Sequence, residues 1–87
     1  MNYVYVLQSR EDEPEFYIGF TSDLRRRFRE HCSGSNRSTA GRAWRLVYYE
    51  AYLAVEAARD RERKLKKHGR VKQLLLARIQ ASLERVQ

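Results

Sequence analysis

Cysteine, proline and glycine are all scarce in this chain of 87 residues, which holds one, one and four of them. Because Cys32 has no partner in the chain, no internal disulfide can form, which favours a reducing compartment. So little glycine and proline excludes collagen-like, linker and low-complexity chains. The sequence also lacks an apolar run near the roughly 20 residues that span a bilayer, and it shows no signal peptide. These absences predict a cytoplasmic protein, and the short length predicts a single domain over residues 1–87.

Acidic residues are also few relative to basic ones. The chain has 11 Asp and Glu against 18 Lys and Arg, and its net charge is +7. The excess lies in two segments, because residues 23–45 carry a net +5 and residues 59–72 a net +6. An excess of this size indicates an anionic partner, either nucleic acid or a membrane surface, without choosing between them.

Periodicity in the sequence predicts the element order β-β-α-β-α-α. Alternating aromatic and β-branched residues predict strands over 2–8, 15–21 and 44–53. Helical spacing predicts helices over about 23–32, 54–67 and 71–86. Thr21 or Ser22 is expected to cap the first helix, and Gly69 is expected to break the second from the third. The fold class that follows is α+β, with a three-stranded antiparallel sheet flanked by helices.

Gly19 stands in the second predicted strand, where a side chain would normally pack. Side chains alternate along a strand, so Gly19 shares a face with Tyr17. Glycine inside a strand often marks the close approach of a ligand or another backbone, which here predicts a hollow beside the Tyr17 phenol. The alternative is that the six tyrosines of the chain simply cover a small sheet.

The first predicted helix places an arginine against the sheet. Leu24 and Phe28 define its apolar stripe, and Arg27 and His31, four residues apart, share a face that borders the stripe. A guanidinium that loses water there is costly unless it meets an anion. The alternative is an arginine that extends its charged end into solvent.

Glu62 occupies a core-facing position on the second predicted helix. Its neighbours on the apolar stripe are Val55, Ala58 and Leu65. A carboxylate in such a position needs a cation. The two candidates are Arg27, as a buried ion pair, and a hard divalent metal ion.

Taken together, these residues resemble the GIY-YIG nucleases. The likeness covers residues 2–72 and is nearest in kind to the small single-domain bacterial members described as excinuclease-C-like. Eleven residues separate the first motif from the second, which fits the family, although the first motif has tyrosine where the family name has glycine. The matching elements are YVY at 3–5, YIG at 17–19, Arg27 with His31, RLVYYE at 45–50, and the segment 61–66 that contains Glu62.

The resemblance implies a metal-dependent endonuclease that hydrolyses phosphodiester bonds of DNA, with a place in DNA repair. It implies one Mg²⁺ or Mn²⁺ ion held by Glu62, and Arg27 neutralising charge on the phosphate. Either Tyr5 or Tyr17 would orient or deprotonate the attacking water, and His31 would bind phosphate or shuttle the proton. The alternative is a nucleic-acid-binding module with weak or no activity.

Nucleic acid is therefore the expected partner, and a membrane is not. The two basic segments are expected to form one continuous surface around the catalytic residues. The residues predicted to face the nucleic acid are Arg26, Arg37, Arg42, Arg59, Arg63, Lys66 and Lys67.

Overall fold

The structure, a computed structural model, describes residues 1–34 and 39–86. It confirms the α+β fold and the predicted order of elements. The elements are β1 (Asn2–Ser9), β2 (Phe16–Thr21), α1 (Leu24–Cys32), β3 (Trp44–Tyr52), α2 (Val55–Lys67) and α3 (Gly69–Arg85). None of the helices in these two ranges has the length and apolar character to cross a lipid bilayer.

The sheet has the strand order β2-β1-β3, with both pairings antiparallel. β1 takes the centre because its residues Val4–Leu7 are apolar or aromatic and fully buried on both faces. The register sets Tyr5 opposite Gly19 on one side and opposite Tyr49 on the other. Since paired residues point to the same face, the register alone brings Tyr5 over Gly19.

The helices pack on the two faces of this sheet. α1 covers the face that carries Tyr5 and Leu7, where Leu24 and Phe28 complete the cluster around Trp44. The alternate residues of β1 point to the opposite face, which α2 and α3 cover. The buried residues on that face are Val4, Val6, Ile18, Ala58, Leu65, Leu75, Ile79 and Leu83. Three of these residues, Leu75, Ile79 and Leu83, form the buried face of α3.

Two helix ends differ from the prediction. Asp23, not Thr21 or Ser22, caps α1, and its carboxylate accepts a hydrogen bond from the Arg26 backbone N–H at 3.1 Å. Thr21 ends β2 and uses its hydroxyl to accept from the Asp23 N–H at 3.0 Å. The break between α2 and α3 lies at His68, which is extended, and Gly69 is already the first residue of α3.

The stripe predicted for α2 is only partly correct. Ala58 and Leu65 are completely buried, but Val55 is 41% exposed and belongs to the surface. The side chain of Glu62 is 23% exposed, so it lies at the border of the buried stripe and not at its centre. This border position leaves the carboxylate accessible to a ligand.

A polar cluster fixes α2 to β3 on the far face of the sheet. The Glu50 carboxylate accepts hydrogen bonds from Arg61 Nε and Nη2 at 2.9 to 3.1 Å. The hydroxyls of Tyr48 and Tyr52 donate to the same carboxylate at 2.5 Å. Bidentate, charge-assisted bonds of this kind are geometrically specific. They set the rotation of α2 about its axis, and so the direction of Glu62, the next residue after Arg61.

We expect Glu50 to make the fold sensitive to acid. Burial raises its pKa, but the hydrogen bonds from Arg61, Tyr48 and Tyr52 outweigh burial and hold it below the usual 4.5. The folded state therefore binds this proton less readily than the unfolded chain. The stability that results is present above the unfolded pKa and is lost as pH falls through the folded pKa.

Glu50→Gln should remove this dependence. Urea midpoints measured from pH 7 to pH 3 should show a variant that is about 2 kcal/mol less stable at pH 7 and falls less steeply in acid. Glu84→Gln, at an exposed position of α3, is the matched control. Parallel pH curves for Glu50→Gln and the wild-type protein would contradict the assignment.

Candidate active site

A buried series of hydrogen bonds connects β1, α1, the segment between α1 and β3, and the first residue of β3. The Tyr5 hydroxyl lies 2.7 Å from His31 Nε2, and His31 Nδ1 lies 2.7 Å from Thr39 Oγ1. Trp44 Nε1 donates to the Thr39 carbonyl at 2.9 Å. His31 and Thr39 have no exposed surface and Tyr5 is 1% exposed. These hydrogen-bonded side chains are therefore held in a fixed geometry away from bulk water.

Gly19 makes room for the Tyr5 ring. A Cβ at this position would overlap with the Tyr5 hydroxyl and the adjacent ring carbon. The close approach inferred from this glycine is therefore real, but its occupant differs from the expectation. The hollow predicted beside Tyr17 is filled by the phenol of Tyr5, because the register pairs Gly19 with Tyr5.

Gly19→Ala should destabilise the fold and displace the Tyr5 hydroxyl from His31. Added volume in a packed site typically costs about 1–3 kcal/mol. The matched control is Gly69→Ala, since a Cβ there meets nothing within 4 Å and alanine favours the helix. Urea denaturation of both variants measures the difference. Equal stabilities for the two variants would show that the Gly19 position has room for a side chain.

The charges around Tyr5 act in opposite directions on its hydroxyl. Burial raises the pKa of Tyr5 to about 12, and the neighbouring Arg27 guanidinium acts against that rise. The charges of Tyr17 and Glu62 raise the pKa further, so both groups lie close enough to act on the same hydroxyl. Tyr5 is therefore protonated at neutral pH and needs a proton acceptor before it can serve as a base.

His31 has the properties of such an acceptor. Burial lowers the pKa of His31, and the positive charge of Arg27 lowers it further against a smaller effect of Glu30. The ring is therefore neutral at pH 7, with one nitrogen able to accept a proton. Because both ring nitrogens are engaged and the ring is fully buried, the predicted phosphate-binding role does not fit His31. The proton-shuttle alternative does fit.

Tyr17 lies at the outer side of this group. Its ring packs edge-on against His31 with centroids 4.9 Å apart, and it is tilted against Tyr5 at 6.3 Å. The ammonium of Lys66 stands 6.0 Å from the centre of the Tyr17 ring. Tyr17 is partly exposed, whereas Tyr5 is not.

Arg27 and Glu62 both reach the site, but they do not form the ion pair considered for them. Arg27 Nη1 donates to Glu30 Oε1 at 2.9 Å, and Lys66 Nζ lies 3.2 Å from Glu62 Oε2. Arg27 pairs with Glu30 and Glu62 pairs with Lys66 because residues three or four apart on a helix are already neighbours. The side chain of Arg27 is 31% exposed, so it has a surface to offer a ligand.

Glu62 approaches from the other side of the sheet. α2 packs on the face opposite α1, and β2, over which it lies, is an edge strand. The Glu62 charge nevertheless acts on Tyr5, and its partner Lys66 stands over Tyr17. Lys66 therefore reaches the Tyr17 ring on the face that carries the tyrosines, and the Glu62 carboxylate lies beside the Lys66 ammonium. The five residues predicted as catalytic, Tyr5, Tyr17, Arg27, His31 and Glu62, lie in one place.

The acidic and metal-ligating residues limit which metal this place could hold. Within residues 1–34 and 39–86, no three His, Cys, Asp or Glu side chains come together in a metal-binding group. A dedicated calcium or zinc cage is thus not formed there. Mg²⁺ is commonly held by one or two carboxylates, with water and substrate phosphates completing its shell. Glu62 fits that arrangement, and the Lys66 ammonium already occupies the cation position beside it.

Some of the basic residues predicted to face nucleic acid carry an ion pair. Arg42 lies 2.6 Å from Glu15 and 3.6 Å from Glu11, both in or next to the acidic hairpin loop. Arg63 lies 2.6 Å from Asp60. These pairs are exposed and individually weak, so they do not prevent either arginine from turning to a phosphate.

The remaining basic residues are more open. Arg26 has a 60% exposed side chain with Glu30 at 4.0 Å, and Lys67 is exposed. The Arg59 guanidinium covers the Phe20 ring at 4.7 Å from its centre and remains largely exposed. Arg37 lies outside the residues that the structure describes.

The sequence agrees with a known domain. The family model for the GIY-YIG catalytic domain matches residues 1–74. The chain belongs to the GIY-YIG family. That family places it among nuclease-type domains, and it confirms the resemblance seen in the sequence motifs.

Several GIY-YIG relatives of similar length are known. A UPF0213 protein of Haloquadratum walsbyi is 36% identical over 78 residues, which is 87% of this chain and 85% of that protein. A UPF0213 protein of Clostridium perfringens is also 36% identical over 78 residues, covering 87% and 82%. The solution NMR structure of a UPF0213 protein from Bacillus halodurans has a TM-score of 0.52 and 34% identity, and covers 88% of this chain and 85% of that one.

Proposed function

We propose that this protein is a divalent-metal-dependent endonuclease that hydrolyses phosphodiester bonds, with DNA as its nucleic acid. The observation that carries the proposal is the Tyr5 hydroxyl, which lies 2.7 Å from the buried, neutral His31 and whose pKa is affected by the charges of Arg27 and Glu62. A surface that only binds nucleic acid needs exposed cations. It has no use for a buried phenol that is paired with a proton acceptor.

Phosphodiester hydrolysis requires an activated water, charge neutralisation on the phosphoryl oxygens and help for the leaving oxygen. We assign Tyr5 as the residue that removes a proton from the attacking water. The Tyr5 hydroxyl lies 2.7 Å from His31 Nε2, so with its proton on that side it can pass the proton to His31 as its oxygen takes one from the water. Tyr17, which has ring contacts with His31, orients the water or the phosphate from the more exposed side.

Arg27 neutralises negative charge on the phosphate. It is partly exposed, it remains charged at any working pH, and it lies beside the Tyr5 hydroxyl where the water would be activated. A Mg²⁺ or Mn²⁺ ion held by Glu62 would supply stabilisation of the leaving oxygen. Lys66, which is paired with Glu62 at 3.2 Å, would be available to contact a phosphate once a metal ion had taken its place.

The second candidate is a nucleic-acid-binding module without cleavage. The Lys66–Glu62 pair favours it, because an ammonium neutralises the carboxylate without a metal. What weighs against it is that a carboxylate beside a phosphate site repels the ligand, so a pure binder gains nothing from Glu62.

The test is a panel of end-labelled linear, nicked, flapped and branched DNAs, with matched RNAs, incubated with Mg²⁺ or Mn²⁺ and with a chelator as control. We expect metal-dependent cleavage of at least one DNA. We also expect affinity to fall steeply with salt, since each neutralised phosphate releases counterions. Salt-dependent binding without cleavage of any substrate would support the binding module. A flat salt dependence would remove nucleic acid as the partner.

A further inference from the structure

We infer that Thr39 is a positioning residue that fixes the tautomer of His31, so that His31 can accept the proton of Tyr5. The inference rests on the proposed function, which it deepens by adding a residue that touches neither water nor phosphate. Thr39 is completely buried, and it lies between α1 and β3 in a segment whose polar sequence gives no sign of such a role.

The direction of each hydrogen bond follows from the groups present. The Tyr5 hydroxyl has the Arg27 guanidinium beside it, and a guanidinium can only donate. The Tyr5 oxygen therefore accepts on that side. Its buried hydroxyl proton also needs an acceptor, and His31 Nε2 at 2.7 Å is the one to which we assign it. Nε2 is then the unprotonated nitrogen of a neutral imidazole.

The ring proton must accordingly lie on Nδ1. Thr39 Oγ1 accepts it at 2.7 Å. Since His31 and Thr39 have no exposed surface, bulk water cannot replace the Thr39 hydroxyl as the hydrogen-bond partner of Nδ1. The opposite tautomer would turn an N–H toward Tyr5, and His31 could then take no proton from it.

Thr39 is itself held in place. Its carbonyl accepts from Trp44 Nε1 at 2.9 Å, and Trp44 is 5% exposed in the cluster under α1. The first residue of β3 thus fixes the loop residue that orients the ring on α1. Partners of this kind, which orient a reacting side chain without contacting the substrate, typically change activity about 10- to 100-fold when they are removed.

The experiment compares Thr39→Val, which keeps the shape and removes the hydroxyl, with Thr39→Ser, which keeps the hydroxyl. Side-chain ¹⁵N NMR of the free protein reports the tautomer of His31, and the exposed His68 provides an internal reference. We expect the Nδ1–H form in the wild-type protein and in Thr39→Ser, and a mixture or the Nε2–H form in Thr39→Val. Single-turnover cleavage by Thr39→Val should fall about 10- to 100-fold with unchanged DNA affinity, and Thr39→Ser should recover most of it.

An Nε2–H tautomer in the wild-type protein would overturn the inference, and that measurement stands even if Thr39→Val fails to fold. An unchanged tautomer in a folded Thr39→Val would overturn it as well, as would an altered tautomer with full cleavage. Because the NMR measurement needs no substrate, a failure of the nuclease assignment is distinguishable from a failure of the tautomer assignment.

Discussion

Replacing Glu62 by glutamine should reduce cleavage by a factor of about 10²–10⁴ while DNA affinity stays equal or rises. Metal-ion stabilisation of transition-state charge is worth several kcal/mol, which corresponds to that range. Glutamine keeps the size and shape of the side chain but removes the charge that would hold the ion. Affinity is maintained because a negative charge near the phosphate has gone. Stability should hardly change, since the Lys66 pair that is lost is half exposed.

Two further variants make the Glu62 result specific. Glu56→Gln, exposed in the first turn of the same helix, should behave as the wild-type protein. Arg27→Ala should lose both cleavage and some affinity, because it acts on the phosphate itself. Cleavage rates, binding isotherms and thermal melts of the three proteins separate these effects. Wild-type cleavage by Glu62→Gln at low metal concentration would remove Glu62 as the metal ligand.

Tyr5→Phe should lower the cleavage rate about 10²–10⁴-fold, the usual contribution of a positioned acid or base. The phenylalanine ring still fills the space over Gly19, so the backbone is undisturbed. His31 Nε2 loses its partner in a buried place, and a destabilisation of about 1–3 kcal/mol should accompany the loss of activity.

Tyr17→Phe is the matched control, because Tyr17 contacts His31 only through its ring. We expect it to retain more activity than Tyr5→Phe and to keep nearly full stability. Single-turnover rates at saturating protein, measured beside urea midpoints, distinguish the two tyrosines. A larger loss in Tyr17→Phe would exchange their roles, with Tyr17 as the base and Tyr5 as its support.

The order of elements could be predicted from the sequence because it depends on local periodicity. Alternation in β1 and the spacing of Leu75, Ile79 and Leu83 in α3 are visible within one segment, and the structure agrees with both. The break at His68 was missed by one position. Gly69 has the stronger intrinsic signal, but a glycine is tolerated as the first residue of a helix.

The details of the site could not be predicted, because they depend on register and on distant segments. The pairing of Gly19 with Tyr5 is fixed by the hairpin register, which the sequence pattern does not specify to one residue. The Arg27–Glu62 pair was one of two alternatives that the charges allowed, and nearer neighbours on each helix pair with both residues instead. Thr39 was missed because a loop residue follows no period, and only the folded chain brings its hydroxyl to His31.

Arg61 and Glu62 are consecutive, yet they have different partners. Arg61 is bound to Glu50 on the far face, whereas Glu62 is paired with Lys66, whose ammonium stands over the Tyr17 ring. Side chains extend roughly 5–6 Å from a helix axis, so a rotation of α2 by about 10° would move the Glu62 carboxylate by about 1 Å. A misplacement of that size is enough to cost about 10²-fold in rate. The rotation of α2 that the proposed reaction tolerates is therefore limited by Tyr48, Tyr52 and the Arg61–Glu50 ion pair, which lie on the face away from the proposed active site. Mutations that only loosen the far face should appear in assays as catalytic defects in a protein that is still folded.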